Sequence, residues 1–441
     1  MNLYRMLMKR AEEARPVRAG LIGAGKFGSM FLAQAAETVG LEISVIADLD
    51  AGRARAACAR VGWSEERIAA TRIVEDSAAL IAAPEVEVVI DATGSPAAGI
   101  RHARACVAEG KHLVMVNVEA DALAGPLLAR EAERAGLVYS LAYGDQPALI
   151  CEMVDWARAC GFPVVAAGKG TKYLPAYHNL TPDTVWDRFG ITPEAAAAGG
   201  MNPKMFNSFM DGTKSGIEMA AVANATGLTA PPEGLAFPPS DVDQLPQVLR
   251  PQAEGGWLHH KGQVEVVACD RRDGTEIPNH LRWGVYVVFE APSDYTARCF
   301  QEYGLATDET GRITALYKPY HLIGLELGIS VASAALRGEA TGAPTGFRAD
   351  VVAVAKRDLQ AGESLDGEGG YTVWGRLMPA EDSLAQGALP LGLAHDVRLK
   401  APVAQGAVLC WSDVEADETA EAVRVRREME QAFAPQSQAA E

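Results

Sequence analysis

The chain has 441 residues, 49% hydrophobic and 22% charged, which suits a globular protein of two or three domains. A formal charge of −17 disfavours nucleic acid as a partner, since phosphate binding draws on a Lys/Arg excess, and no apolar run approaches the roughly 18 residues of a membrane span. Seven scattered cysteines with no Cys-x-x-Cys pair exclude a zinc or disulfide framework and point to a reducing cytoplasm.

Residues 1–15 mix Leu3, Met6 and Leu7 with Arg5, Lys9, Glu12 and Glu13, the pattern of a short amphipathic helix without the apolar stretch of a secretory signal. From residue 17 to about 143, strand and helix alternate. Strands are expected at 18–22, 41–47, 86–90, 112–116 and 138–141, with helices such as 51–61 and 97–109 between them. This predicts a Rossmann-type, doubly wound parallel sheet over 1–145, an α/β arrangement that binds ligands at the carboxyl ends of its strands.

The first turn reads Gly20-Leu-Ile-Gly-Ala-Gly-Lys-Phe-Gly28. Gly23 permits a tight turn, Gly25 lets backbone approach a pyrophosphate, Lys26 and Phe27 open the following helix, and Gly28 allows close helix–strand packing. Asp48 ends the second strand at the spacing of a ribose hydroxyl acceptor. It favours NAD over NADP, although Arg53 and Arg55 lie close enough to reach a 2′-phosphate. Thr93 and Gly94 sit in a turn that passes under a nicotinamide. Asn117 and Glu119 follow the fourth strand, where nicotinamide and substrate would meet.

After residue 145 the character changes. A helix at 147–160, a strand at 164–169, a long helix at 203–226 closed by Gly227, and strands at 264–269 and 283–290 suggest an α+β catalytic domain over 146–340 with an antiparallel sheet. Gly216 costs that helix about 1 kcal/mol relative to Ala, so a close contact is expected there. The Pro/Gly-rich loop 230–256 is long enough to be functional or mobile. A mostly apolar helix at 320–336 can return to the first domain. Short strands at 351–355, 371–376, 397–399 and 408–410 predict an all-β module over 341–415, followed by a charged helix and a frayed tail in 416–441.

Three groups of residues can carry chemistry. On one helix, Lys204, Asn207, Asp211, Lys214 and Glu218 would project within about 80° of one another. Such a face can move the proton of a carbinol and hold negative charge on oxygen, or be an exposed stripe of salt bridges. Gly168-Lys-Gly-Thr-Lys-Tyr173, followed by His178, offers Lys169 and Lys172 to an anion, or is a basic surface turn. Glu119 and Asp121 with Glu152 or Asp155 can hold a divalent metal, or are ordinary surface carboxylates. Lys318 and His321 precede the return helix, and His321 reads as a proton shuttle or a capped core histidine. His259 and His260 read as incidental.

The order of motifs resembles the homoserine dehydrogenase-like NAD(P)-dependent oxidoreductases that carry a C-terminal SAF (β-clip) domain. The resemblance rests on Gly23-Ala-Gly-Lys-Phe-Gly28, Asn117-Val-Glu-Ala-Asp121, Ala142-Tyr-Gly-Asp-Gln-Pro147, Asp211-Gly-Thr-Lys214 and Tyr317-Lys-Pro-Tyr-His-Leu-Ile-Gly-Leu-Glu326. The SAF pattern is matched by residues 355–370 and by Leu389-Pro-Leu-Gly-Leu393. The family includes D-apionate oxidoisomerase and 1-deoxy-D-xylulose 5-phosphate reductoisomerase-like proteins. The resemblance therefore implies hydride transfer coupled to rearrangement of a small polyhydroxylated acid or sugar phosphate. Its implied holders are Lys169, Lys172 and the Lys204–Glu218 face, in a cytoplasmic homo-oligomer. The Gly-Thr-x-Asn-Tyr-Ile turn of homoserine dehydrogenases is missing, which argues against homoserine itself. A simple dehydrogenase and a non-catalytic NAD(P) sensor are the alternatives.

Overall fold

The computed structural model describes residues 2–198 and 201–434; the tail expected to fray, 435–441, lies outside them. The chain divides into two compact units, Met1–Glu152 with His321–Thr345, and Met153–Tyr320 with Gly346–Glu441. The four spans expected from composition are thus regrouped.

In the first unit β1 (Val17–Ile22), β2 (Leu41–Ala47), β3 (Arg72–Val74), β4 (Val88–Asp91), β5 (His112–Met115) and β6 (Tyr139–Leu141) form one parallel sheet in the order β3-β2-β1-β4-β5-β6. This is the dinucleotide-binding order. Strand β3 was not expected. It has three residues, none fully buried, too few to show a hydrophobic period. The return helix is shorter than expected, Gly328–Arg337, and its Val331, Ala332 and Ala334 join Val17, Ala19 and Ile43 in the core of this sheet. Burial of that apolar stripe is why 321–345 belongs to the first unit despite its place in the sequence.

In the second unit β7 (Val164–Thr171), β8 (Gln263–Ala268), β9 (Val285–Glu290) and β10 (Ile313–Lys318) form a sheet in the order β10-β9-β7-β8. The sheet is mixed instead of antiparallel: β7 and β8 run parallel, Ala166 opposite Gln263. Their long connection carries the helices and loop that a parallel crossover needs. The C-terminal strands β11 (Ala349–Ala355), β12 (Ser364–Asp366), β13 (Val373–Pro379) and β14 (His395–Arg398) pair as two antiparallel ladders, β11 with β13 and β12 with β14. Residues 408–410 add isolated bridges instead of the expected strand.

The expected long helix 203–226 is broken. Helices Pro203–Met210 and Thr213–Thr226 meet at Asp211 and Gly212, whose φ is +92°. Glycine takes that left-handed conformation without a Cβ penalty. The second helix lies directly on β13: a Cβ at Gly216 would be 3.1 Å from the Gly375 carbonyl oxygen. That contact is the reason for glycine in mid-helix, and it ties the C-terminal strands to the second unit. Among the described residues no helix is long and apolar enough to cross a membrane.

Candidate active site

The first unit carries a dinucleotide cradle. Gly23 (φ +94°) turns the chain out of β1, and a Cβ there would lie 2.9 Å from the Ala92 carbonyl oxygen. A Cβ at Gly28 would lie 2.1 Å from the Gly23 carbonyl oxygen, so any side chain would force the helix off the strand. At Gly25 nothing stands within 4 Å of that position, which leaves the turn open to a close-lying phosphate. Lys26 and Phe27 begin the ten-residue helix Lys26–Ala35, whose first turn has no acidic residue. Its unpaired N–H groups and positive dipole end suit a pyrophosphate. The cradle therefore fits a dinucleotide.

Asp48 is buried, and its Oδ2 accepts the Ala24 N–H of the glycine turn at 2.9 Å. The Arg53 guanidinium rests on its other oxygen. Arg53 is 61% exposed, so the outward charge beside the ribose acceptor is positive. Arg55 instead folds back on the Ala51 carbonyl.

The turn after β4 is braced from below. Thr93 donates through its N–H (2.8 Å) and hydroxyl (2.7 Å) to Asp91, whose other oxygen accepts from His102 Nδ1 at 2.7 Å. At Gly94 nothing stands within 4 Å of the position a Cβ would take. Asn117 is buried and fully engaged: it caps its helix at Ala120 and donates to Thr93 and Ser95. It holds the turn in place.

The metal reading fails. Glu119 and Asp121 lie two positions apart on helix Val118–Arg134, so they point to different sides of it. Asp121 is buried against the Tyr139 hydroxyl (2.9 Å), and burial pushes its carboxyl up to about 7. Glu152 accepts from the Tyr143 hydroxyl. No group of three His, Cys, Asp or Glu among the described residues can hold a metal ion.

The second unit carries a dense polar network, but not on one helical face. The break at Gly212 redirects Asp211, which pairs with Lys356 at 2.7 Å, both fully buried. Lys204 turns to Asp366, donating to its carbonyl at 2.9 Å, while Asn207 donates to the Leu180 and Gly369 carbonyls. Glu218 pairs with the buried Lys169 of β7, and Lys172 lies 3.3 Å from the buried Asp270. Lys214 is half-buried in the first turn of its helix. The lysines expected to hold an anion are thus matched by carboxylates. Buried pairs of this kind contribute little net stability, because desolvation offsets their attraction.

His178 sits at the middle of this network. Its Nδ1 faces the Asp211 carbonyl oxygen at 2.7 Å, which can only accept, so Nδ1 carries the proton. Nε2 then accepts the Tyr173 hydroxyl at 2.8 Å. Burial lowers the His178 pKa and pushes the Tyr173 phenol up to about 12, so both are neutral at neutral pH. Two ring stacks hold the pair, Tyr173 on Phe237 and His178 on Trp374, each with centroids 3.8 Å apart. Phe237 adopts a positive φ of +50°, unusual for a bulky residue. It is held so by buried Glu265, which accepts the Ala236, Phe237 and Val266 N–H groups.

Lys318 ends the edge strand β10, two strand positions from β7, and His321 follows three residues later. Sequence reading missed Tyr173, Phe237, Glu265, Lys356 and Trp374. Tyr173 and Lys356 lie inside motifs already singled out, whereas the other three carry no local signal.

Residues 19–140 match the NAD-binding domain of homoserine dehydrogenase, and residues 144–327 match the catalytic domain of oxidoreductase DRL. Over these two spans the chain carries an NAD-binding domain and an oxidoreductase-type catalytic domain. The cradle and the first matched domain agree on a dinucleotide cofactor. No curated protein matches the sequence. Among solved structures it is similar to an NAD-binding oxidoreductase from Klebsiella pneumoniae (21% identity over 38% of this chain and 45% of that one, TM-score 0.29). It is also similar to biliverdin reductase from Synechocystis sp. PCC 6803 (19% identity, 36% and 48%, TM-score 0.27). A probable dehydrogenase from Thermotoga maritima shares 13% identity over 73% of this chain and 90% of that chain, with a TM-score of 0.36. The first two matches span less than half of those proteins' own length.

Proposed function

We propose that this oxidoreductase couples hydride transfer to carbon-skeleton rearrangement of a small sugar acid or sugar phosphate. The observation that carries the reading is the neutral Tyr173–His178 pair with its tautomer set by the Asp211 carbonyl. Oxidising a carbinol takes a hydride from carbon and a proton from oxygen, and a bound dinucleotide supplies the hydride acceptor. Tyr173 takes the hydroxyl proton as its own proton moves to His178 Nε2, leaving an imidazolium whose Nδ1–H stays on the Asp211 carbonyl. Rearrangement further needs a polarised carbonyl, a role the Lys169 ammonium fills while Glu218 holds it. The match of 144–327 to the catalytic domain of oxidoreductase DRL supports the hydride-transfer part of this reading. A cytoplasmic setting belongs to the same reading: burial pushes the Cys269 thiol up to about 12 and raises Cys58, so both act as inert core groups.

The test is reduced-nicotinamide absorbance with a panel of sugar acids and sugar phosphates, followed by NMR of the product's carbon connectivity. A product with a rearranged skeleton is expected. Oxidation that leaves the skeleton intact would replace this reading with a simple dehydrogenase.

A further inference from the structure

Where Lys169, Lys172, Lys204 and Lys356 each face a carboxylate, Arg376 does not. It stands on β13, half-buried, and its buried Nε has no hydrogen-bond partner among the described residues. No carboxylate of a described residue pairs with its guanidinium. A partly desolvated, unpaired cation is costly, and native structures keep one where something else satisfies it.

Its surroundings place it at the rim of the Tyr173–His178 cluster. Trp374 lies two residues away on the same face of β13 and stacks on His178. From the other side the loop lies on the arginine's aliphatic stem: a Cβ at Gly234 would be 3.2 Å from Arg376 Cγ. Gly234 has a φ of +82°, and three residues later the same loop delivers Phe237 to Tyr173. Two stacks, one hydrogen bond and two short stretches of chain thus link Arg376 through Gly234, Phe237, Tyr173, His178 and Trp374.

We propose that Arg376, supplied by the C-terminal strands, is the receptor for the carboxylate or phosphate of the substrate. A guanidinium offers parallel N–H donors in a planar fork matched to either anion, and this one brings a positive charge that no carboxylate of a described residue matches. The inference rests on the sugar acid or sugar phosphate reading and deepens it, for it makes the anionic end a requirement. It also gives the C-terminal strands a place in the site.

The probes are inorganic phosphate and D-glycerate, with glycerol as uncharged control, titrated calorimetrically into the full chain saturated with dinucleotide so that the cradle is closed to them. Both anions bind and glycerol does not. Arg376→Gln weakens both by roughly 10- to 100-fold while thermal melting stays unchanged. Arg376→Lys, which keeps the charge but loses the fork, falls between the two. Failure of the wild type to bind either anion overturns the proposal, as does equal affinity in wild type and Arg376→Gln. If the Gln variant does not fold, wild-type affinity in Arg376→Lys overturns it instead. Anion binding that depends on Arg376, with no sugar acid or sugar phosphate turned over, keeps this proposal and removes the oxidoisomerase reading. Rearrangement at full kcat/KM by Arg376→Gln does the reverse.

Discussion

The two units build their sites by opposite means. In the first, the dinucleotide cradle is one continuous turn whose working parts are backbone N–H groups and missing side chains at Gly23, Gly25 and Gly28. In the second, Tyr173, His178, Asp211, Phe237, Glu265, Lys356 and Trp374 come from segments as much as about 200 residues apart and meet mostly through side chains. A backbone site of the first kind tolerates change outside the turn. A side-chain network of the second kind depends on every element that delivers a member.

The sharpest way to test this contrast is Tyr173→Phe, which removes one hydroxyl and leaves the ring stacked. We expect kcat to fall by about 10²- to 10⁴-fold with dinucleotide affinity unchanged, measured by steady-state kinetics and dinucleotide titration. Wild-type turnover would remove the proton-transfer role.

Next in size is Lys356→Met. It leaves the Asp211 carboxylate buried without its partner, and urea unfolding is expected to show a loss of about 3–5 kcal/mol. Restoring part of that loss with Asp211→Leu on the same background would identify the uncompensated charge as the cause.

A third effect is a slope. Burial raises the Asp121 carboxyl from its ordinary 3.8 to about 7, so the folded state keeps a proton that the unfolded state has lost. Its contribution to stability is therefore present at acid pH and falls as pH rises from about 4 to 7. Asp121→Asn should flatten that part of the pH–stability profile, whereas an unchanged slope would assign it to other groups.

Gly28→Ala tests the cradle. Its Cβ meets the Gly23 carbonyl, and thermal melting should show a destabilisation of about 1–3 kcal/mol together with weakened dinucleotide binding. The smallest effect is on cofactor choice. Arg53→Ala uncovers Asp48 and should shift preference from NADP toward NAD by roughly tenfold in competitive titrations.

Much of the first unit was legible because its signals are local. Glycines at fixed spacing, a strand before them, a helix after them and Asp48 at the end of β2 all fall within about thirty residues. Even there the role of Asp48 was half visible: its spacing suggested a ribose acceptor, but its bonds to Ala24 and Arg53 are tertiary. In the second unit the Lys204–Glu218 stripe was read as one face because helical periodicity assumes an unbroken helix. Gly212, in the left-handed conformation, breaks it and sends Asp211 to Lys356.

By itself the sequence determined the dinucleotide cradle, the alternation of strand and helix, and the acidic character of the chain. Those follow from residue spacing, backbone freedom and charge, which are local properties. Tertiary structure alone decided which lysines are matched by carboxylates, which tautomer His178 holds, and that Trp374 of the C-terminal strands stacks on His178. Those depend on burial and on contacts between distant segments, because a side chain's charge state and partners are set by what packs against it.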